Sequence, residues 1–358
     1  MRLILDAHLD LSLNAIEWNR DLRRSVEKIR ETEAELPARL AGHAAGTVAF
    51  PDMRRGNIGI CIATQLGGCM KPRSFVASWE SPAQAWAMTQ GQLAWYREME
   101  REGHLKQIRS SEDLDRHLAL VGDGDASELP IGFVLSLEGA DSIVTLDHLE
   151  RAWESGLRAI GPAHYGVGRY AMGHDVSGEL PPCGIDLIRK MDELGFILDL
   201  THLNEPCFWK ALEVFGGTVW ASHHMCRSIV EDPRQLSDAQ IRAVAERGGV
   251  IGAALDVWMV VPGYVRGKSH PREFGITLEN IADHMDHVCQ VVGNARHCGI
   301  GSDLDGGFGT EQSPMDLDTI ADLQRLDGIL TVRGYSDEDL DGIFHGNFLR
   351  VLRAGLPA

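Results

Sequence analysis

The sequence has 358 residues, of which 44% are hydrophobic and 24% are charged, a composition typical of a globular enzyme. Its 34 Lys and Arg residues against 52 Asp and Glu residues give a net charge of −18, so its surface would repel a nucleic acid or an anionic membrane. No run approaches the roughly 20 apolar residues that a membrane-spanning helix needs, and the first residues do not resemble a secretory signal. We therefore expect a cytoplasmic protein that acts on a small molecule.

Seven cysteines are scattered along the chain without any C-x-x-C pair. An odd number without regular spacing argues against a disulfide framework and against a thiolate metal site. Free thiols in a reducing compartment explain them, which agrees with the cytoplasmic location.

Eight short apolar segments alternate with helical patterns along the chain. Their length and composition are typical of buried strands. Strands that alternate with helices in this way predict an α/β protein with a (β/α)₈ TIM-type barrel. The predicted strands cover residues 3–5, 58–63, 131–137, 157–160, 196–200, 218–221, 249–254 and 298–301.

Helix boundaries are predicted from capping residues and from hydrophobic spacing. Ser81 with Gln84 and Ser237 with Gln240 have the spacing of capping boxes. Residues 103–130 are expected to form an excursion that contains a short helix. Further helices are predicted at residues 18–39, 81–102, 278–292 and 337–356.

Side chains that bind metals or transfer protons stand at the ends of six of the eight predicted strands. His8 and Asp10 are two residues apart, so a strand projects both to the same side. Catalytic groups of (β/α)₈ barrels lie at the carboxyl ends of the strands, and imidazole nitrogens and carboxylate oxygens both bind zinc. The residues in this position are His8, Asp10, Glu138, His164, His202, His223 and Asp303.

Two His–carboxylate clusters around a shared carboxylate predict a binuclear hydrolytic site. We assign His8 and Asp10 to one ion, His202 and His223 to the other, and Glu138 as the bridge. Two such ions stand about 3.5–4 Å apart, polarise a carbonyl and turn a bridging water into hydroxide.

Neighbouring titratable residues are expected to lie outside this site. His224 should face away from His223 if the strand is regular. Asp283, His284 and His287 are predicted on a solvated helix face rather than at a third metal. The sequence contains no fingerprint of a nucleophile elbow, a phosphate-binding loop or a dinucleotide fold.

Eight stretches of the chain follow one known pattern: LDAHLDL (5–11), LEG (137–139), LR to His164 (157–164), GFILDLTH (195–202), ASH (221–223), RQLSD (234–238), GSDLDG (301–306) and GNFLRV (346–351). They resemble the membrane dipeptidase (renal dipeptidase) family of zinc metallopeptidases. The resemblance implies one metallo-dipeptidase domain over residues 1–358, an amidohydrolase-like barrel that holds two divalent ions, which we expect to be Zn²⁺. It also implies hydrolysis of dipeptides, including those with a C-terminal D-residue, and the same metal ligands, with Glu138 as a catalytic bridge.

The resemblance further implies that His164, Arg234 and Asp303 contact the substrate. His164 would donate a hydrogen bond to the developing oxyanion, and Arg234 would hold the C-terminal carboxylate. Asp303 would take a proton from the attacking water and pass it to the leaving amine. Arg227 is an alternative to Arg234 as the residue that holds the carboxylate. Asp305 faces the same way as Asp303 by strand period and is instead expected to be a structural cap.

The chain departs from the family in the loop after His164, which reads YGVGRY (165–170) where the family usually has Ser-Cys-Asn-Thr-Pro-Trp. The signal and anchor of the animal enzymes are also absent, which suggests a soluble bacterial-type member. The expected partner is a small dipeptide, and assembly into a homodimer stays open.

Two other functions stay open. One is another amidohydrolase-type hydrolase, such as an N-acyl-amino-acid deacylase or a lactonase. Many of these use H-x-H with a carboxylated lysine, whereas this chain has H-x-D and no lysine in its third or fourth predicted strand. The other is an inactive metal-binding or scaffold protein, which would be expected to lack part of the ligand set.

Overall fold

The computed structural model describes residues 1–38, 41–69, 78–123 and 129–358. Eight parallel strands form a closed barrel, in which each strand pairs with its neighbours in chain order and the last pairs with the first. The predicted TIM-type fold is therefore confirmed. The barrel strands are β1 (Ile4–Leu9), β2 (Ile58–Leu66), β3 (Ile131–Glu138), β4 (Leu157–Gly161), β5 (Ile197–Asp199), β6 (Val219–His224), β7 (Ile251–Ala253) and β8 (Cys298–Ile300).

Helices connect the strands and surround the barrel, so nearly every strand residue is buried. None of the helices within the described ranges is long and apolar enough to cross a membrane. The helices are α1 (Leu11–Ile16), α2 (Val26–Ala34), α3 (Phe50–Arg55), α4 (Pro82–Arg101), α5 (Ser111–Asp123), α6 (Leu146–Glu154), α7 (Pro182–Leu194), α8 (Glu205–Val214), α9 (Asp238–Glu246), α10 (Pro271–Phe274), α11 (Leu278–Val292), α12 (Arg325–Val332), α13 (Asp337–Asp341) and α14 (Asn347–Gly355).

Local capping residues begin two helices where the sequence predicts them. The Ser81 side chain accepts a hydrogen bond from the Gln84 amide at the start of α4. Ser237 and Gln240 form the full reciprocal capping box at the start of α9. These caps use only residues three apart, so the local sequence is enough to predict them.

The helix predicted for residues 18–39 is shorter in the structure than the prediction. Only α2 is helical, and Arg39 lies outside the described residues. The extended Ser25 caps α2, and the Asp52 carboxylate of α3 accepts a hydrogen bond from the Val26 amide at 2.8 Å. A carboxylate from α3 thus helps to define the start of this helix, and no pattern within residues 18–39 predicts this contact.

The final helix, predicted without a break for residues 337–356, is interrupted between α13 and α14. Residues Gly342–Gly346 form a π-helical turn. At this turn the His345 ring contacts the Leu3 carbonyl at 3.1 Å, and Asn347 donates to the Cys298 carbonyl at 2.8 Å. The interruption lets the chain pack against the amino ends of β1 and β8.

The excursion at 103–130 contains the expected short helix, α5, and also a strand that the sequence does not predict. Leu105–Gln107 pairs in parallel with the first residues of β3.

Two glycines allow the backbones of β6, β7 and β8 to approach closely. A Cβ atom at Gly252 would lie 1.9 Å from the Ser222 carbonyl oxygen, and one at Gly301 would lie 1.8 Å from the same atom. Neither position can hold a larger residue without backbone movement.

Candidate metal centre

The seven site residues predicted at strand ends all lie at the carboxyl end of the barrel. Parallel strands place their carboxyl ends on one rim, so residues distant in sequence meet there. His8 lies in β1, Glu138 is the last residue of β3 and His223 lies in β6, while Asp10, His164, His202 and Asp303 follow β1, β4, β5 and β8.

Four histidines surround the carboxylate of Glu138. Its Oε1 atom lies 3.0 Å from Nε2 of His202, 3.4 Å from Nε2 of His223 and 3.7 Å from Nε2 of His8. Its Oε2 atom lies 3.8 Å from Nε2 of His164. Glu138 is therefore positioned to be shared between two groups of ligands.

Two further carboxylates approach His8. Its Nε2 atom lies 3.8 Å from Asp10 Oδ2 and 3.7 Å from Asp303 Oδ1. The candidate ligand groups in the described part of the chain include His8 with Asp10 and Glu138, His8 with His223 and Asp303, and a third that contains Glu138, His164 and His202. Asp303 is thus close enough to act as a ligand or as a proton carrier.

The polar atoms of this cluster fit divalent ions. His8 Nε2 and Asp10 Oδ1 are buried without a hydrogen-bond partner among the described residues. Nε2 of His202 lies 3.1 Å from Nε2 of His223, and both also face Glu138. Converging imidazole nitrogens and carboxylate oxygens are the ligands that zinc binds.

Burial and neighbouring charge set the protonation of the cluster. Burial, with Arg234 nearby, holds the pKa of His202 and of His223 well below the usual value, which leaves both rings neutral as metal ligation requires. Burial raises the pKa of Glu138 to about 7. Burial also opposes protonation of His8, but Glu138 and Asp10 outweigh it and raise the pKa of His8 to about 10. The surroundings of His8 therefore attract positive charge.

Two buried aspartates fix the strand ends that carry the histidines. Asp6 Oδ1 accepts hydrogen bonds from the amides of His8 (3.2 Å) and Ser302 (2.8 Å), joining β1 to the residues after β8. Asp199 Oδ1 accepts a bond from the Ser222 amide (3.1 Å), joining β5 to β6.

The outer nitrogens of two histidines also have partners. His223 Nδ1 lies 2.9 Å from the Ser222 hydroxyl, and His202 Nδ1 lies 3.3 Å from His174 Nδ1. Such contacts fix the ring orientation and leave Nε2 to face the ligand cluster. Tyr165 packs against both His174 and His202, with ring centres 4.7 and 5.2 Å apart.

Two site residues have left-handed backbone conformations. His202 has φ 66° and Asp303 has φ 57°, a region that residues other than glycine adopt rarely. A Cβ atom at Gly306 would lie 2.0 Å from Asp303 Oδ1, so glycine is needed there for this carboxylate position. Strained residues of this kind concentrate at functional sites.

Arg234, but not Arg227, lies against the cluster. The buried Arg234 guanidinium donates to the His223 carbonyl at 3.0 Å and contacts His224 Nδ1 at 3.2 Å, while its Nε has no hydrogen-bond partner among the described residues. Arg227 instead pairs with Glu205 at 2.9 Å. His224, in contact with Arg234, belongs to none of the candidate ligand groups that the described residues form.

The solvated helix face predicted for residues 283–287 is wrong for His284. Its ring is buried and contacts the Cys226 amide at 3.0 Å and the Val260 carbonyl at 2.9 Å. Asp283 and His287 do form partly exposed ion pairs on α11. None of these residues joins a ligand group in the described ranges.

Asp305 has the geometry of a structural cap. Its fully buried carboxylate accepts hydrogen bonds from the amides of Thr47 (2.7 Å) and Val48 (3.0 Å).

Two residues near the cluster have no role predicted from the sequence. His174 belongs to the loop between β4 and α7, where no pattern distinguishes it from the other histidines. Asp256 follows the predicted seventh strand by two residues, and a carboxylate just beyond a strand end could have indicated it. It contacts Arg266 at 3.3 Å, and Arg266 in turn contacts the Tyr165 hydroxyl at 3.1 Å.

Comparison with known proteins gives consistent matches. The sequence pattern of a family described as membrane dipeptidase (peptidase family M19) matches residues 2–355. An uncharacterised protein in the pqqA 5′ region of Klebsiella pneumoniae is 30% identical over 215 residues, 57% of this chain and 74% of the relative. An uncharacterised dipeptidase of Schizosaccharomyces pombe is 30% identical over 172 residues, 48% of this chain but only 39% of that protein.

Solved structures share the fold. A metallopeptidase from Rhodobacter sphaeroides, liganded with a phosphinate mimic of the dipeptide L-Ala-D-Ala, superimposes with a TM-score of 0.75. The match covers 99% of both chains at 20% sequence identity, so the likeness concerns the fold alone.

Proposed function

Because the chain belongs to the membrane dipeptidase family, we propose that it is a zinc-dependent dipeptidase that uses two divalent ions. One observation carries the proposal: the carboxylate of Glu138 lies 3.0–3.8 Å from the Nε2 atoms of four histidines at the carboxyl end of the barrel. A carboxylate so placed can serve two ions at once.

The proposed ligands divide into two sets. His8 and Asp10 would hold one ion, His202 and His223 would hold the other, and Glu138 would serve both. When bound, the ions would supply a polarising charge for the peptide carbonyl and a water molecule whose pKa is lowered to about 7.

The protein's own side chains complete the reaction. His164, beside Glu138, donates a hydrogen bond to the carbonyl oxygen as negative charge develops there. Asp303 accepts a proton from the attacking water and delivers it to the amine nitrogen as the C–N bond breaks. Burial, with Asp10 and Glu138 nearby, raises the pKa of Asp303 well above its usual value, which suits a group that holds a proton during turnover.

Arg234 holds the free carboxylate at the C-terminal end of the substrate. Its guanidinium is fixed by the His223 carbonyl, and its buried Nε lacks a partner among the described residues. The metallopeptidase from Rhodobacter sphaeroides that shares the fold is liganded with a phosphinate mimic of the dipeptide L-Ala-D-Ala. We therefore include dipeptides with a C-terminal D-residue among the substrates.

A comparison of dipeptides with their C-terminal amides tests this function. The amide keeps the scissile bond and lacks only the carboxylate. The kcat/KM of the metal-loaded enzyme should therefore be lower for the amide than for the acid by about tenfold or more. Arg234→Met should make the acid as poor a substrate as the amide. Arg227→Met is the matched control and should keep the preference, because the Arg227 guanidinium pairs with Glu205 instead.

Equal cleavage of acid and amide by the wild-type enzyme would contradict the exopeptidase assignment. Hydrolysis of N-acyl amino acids or lactones in preference to dipeptides would then favour the deacylase or lactonase alternative.

A further inference from the structure

Arg266, on the loop after β7, is a second arginine near the metal centre, and the buried carboxylate of Asp256 contacts it. Asp256 is 3% exposed and accepts hydrogen bonds from Gln312 Nε2 at 2.7 Å and Trp258 Nε1 at 2.8 Å. Its Oδ2 atom also lies 3.3 Å from Nη2 of Arg266. Asp256 therefore orients both Trp258 and Arg266 at this edge of the site.

The guanidinium of Arg266 is held in place, but the described residues accept hydrogen bonds from only some of its N–H donors. Nη1 donates to the Tyr165 hydroxyl at 3.1 Å, and the guanidinium carbon lies 5.3 Å from the centre of the Trp258 ring. An arginine has five N–H donors, and the described residues engage it at Nη1 and Nη2 alone, while 41% of its side chain is exposed. The remaining donors can bind a ligand.

Arg266 lies one tyrosine away from the proposed catalytic residues. The Tyr165 ring packs against His164 and His202, with ring centres 4.9 and 5.2 Å apart, and its hydroxyl points to Arg266. Arg234 also approaches His202, because its Nη2 atom lies 3.5 Å from Nε2 of that ring. His202 therefore lies beside Arg234 directly and is joined to Arg266 through Tyr165.

This placement points to the C-terminal residue of the substrate. If Arg234 holds the α-carboxylate beside His202, a guanidinium joined to the same ring through Tyr165 can meet the side chain on that residue. A planar guanidinium pairs best with a carboxylate, to which it can donate two parallel hydrogen bonds.

We propose that Arg266 binds the side-chain carboxylate of the C-terminal residue, so that the preferred dipeptides end in Asp or Glu. This inference rests on the proposed dipeptidase function. Tyr165 and Asp256 act as positioning residues that hold the guanidinium at the edge of the site.

Matched dipeptides and an Arg266→Met variant test the proposal. The substrates are Ala-Asp, its neutral isostere Ala-Asn, Ala-Ala and Asp-Ala, with the C-terminal residue in both L and D forms. Wild-type enzyme loaded with zinc should prefer Ala-Asp to Ala-Asn. Arg266→Met should lower kcat/KM for Ala-Asp by about 10- to 100-fold, the loss expected for a charge-assisted pair, and change the neutral dipeptides less than about twofold.

Three further variants control for indirect effects. Lys268→Met removes a positive charge from the same loop, where Lys268 is exposed, and should leave the preference unchanged. Arg266→Lys keeps the charge without the planar fork and should retain part of the preference. Asp256→Asn should reduce the preference in the same direction as Arg266→Met, through loss of positioning.

Each other outcome overturns a different statement. An equal loss for Ala-Asp and Ala-Ala in Arg266→Met would show that Arg266 acts on the α-carboxylate or on the loop. A loss confined to Asp-Ala would place it at the N-terminal residue, and no change would exclude contact with the substrate. Wild-type enzyme that cleaves none of the dipeptides would contradict the proposed function itself.

Discussion

Glu138 is the residue on which the proposed two-ion site depends most. Glu138→Gln keeps the side-chain shape but removes the charge shared by both ligand groups, so we expect the content of both ions to fall. Elemental analysis after purification in excess zinc would measure the number of ions per chain. Loss of one ion only would make Glu138 a terminal ligand rather than a bridge.

Asp303→Asn is the matched control for that variant, since it also changes a carboxylate near His8 to an amide. We expect it to retain both ions while kcat falls about 10²–10⁴-fold, the usual contribution of a positioned proton carrier. Loss of an ion in this variant would identify Asp303 as a ligand, a role that its 3.7 Å distance from His8 also permits.

Close contacts between the strands depend on glycines at the centre of β7 and directly after β8. Gly301→Ala would place its Cβ 1.8 Å from the Ser222 carbonyl oxygen, and strain of this kind lowers the free energy of unfolding by about 1–3 kcal/mol or more. Gly91→Ala, on an exposed position of α4 where the new Cβ meets no atom within 4 Å beyond the backbone of its own helix, should instead raise it by about 0.5–1 kcal/mol. Urea unfolding of both variants measures the difference. Equal stability of Gly301→Ala and wild type would refute the close approach.

At the scale of the whole molecule, removal of the ions should change stability and its pH dependence. Ions that bind only the folded state stabilise it by about 2.7 kcal/mol at 100 times their Kd, so a chelator should lower Tm and zinc should restore it. In the stripped protein, Glu138 and His8 have pKa values of about 7 and about 10. Both values exceed those of the unfolded chain, so both groups bind more protons when folded. Their contribution to stability is lost as pH rises from about 4.5 to about 7 for Glu138 and from about 6.5 to about 10 for His8. The lowered pKa values of His202 and His223 act in the opposite direction up to about pH 6.5.

Thermal unfolding of the stripped protein at several pH values tests this sign. Stripped Glu138→Gln lacks this titrating group, so its Tm relative to that of the stripped wild type should rise as pH increases from about 5 to about 8. A Tm difference between the two proteins that does not change with pH would contradict the raised pKa of Glu138.

The sequence alone determines the barrel and the set of residues at its carboxyl rim. The alternation of short apolar strands with helices is a periodic signal, and a parallel barrel places all eight strand ends together whatever the loops do. The Ser81 and Ser237 caps form for a similar reason, because they use residues three apart. The roles assigned to the rim residues stay predictions until the variants above are measured.

Only the tertiary structure decides the contacts between segments that lie far apart in the chain. The Asp52 carboxylate of α3 adds to the local Ser25 cap at the start of α2, and the burial of His284 depends on Cys226 and the chain near Val260. Arg266 and Tyr165 are 101 residues apart, and no local pattern joins them. Periodicity and capping depend only on the nearest few residues. The direction of a side chain such as Arg234 or Arg227 depends instead on distant polar groups, which the closed barrel brings within hydrogen-bonding distance.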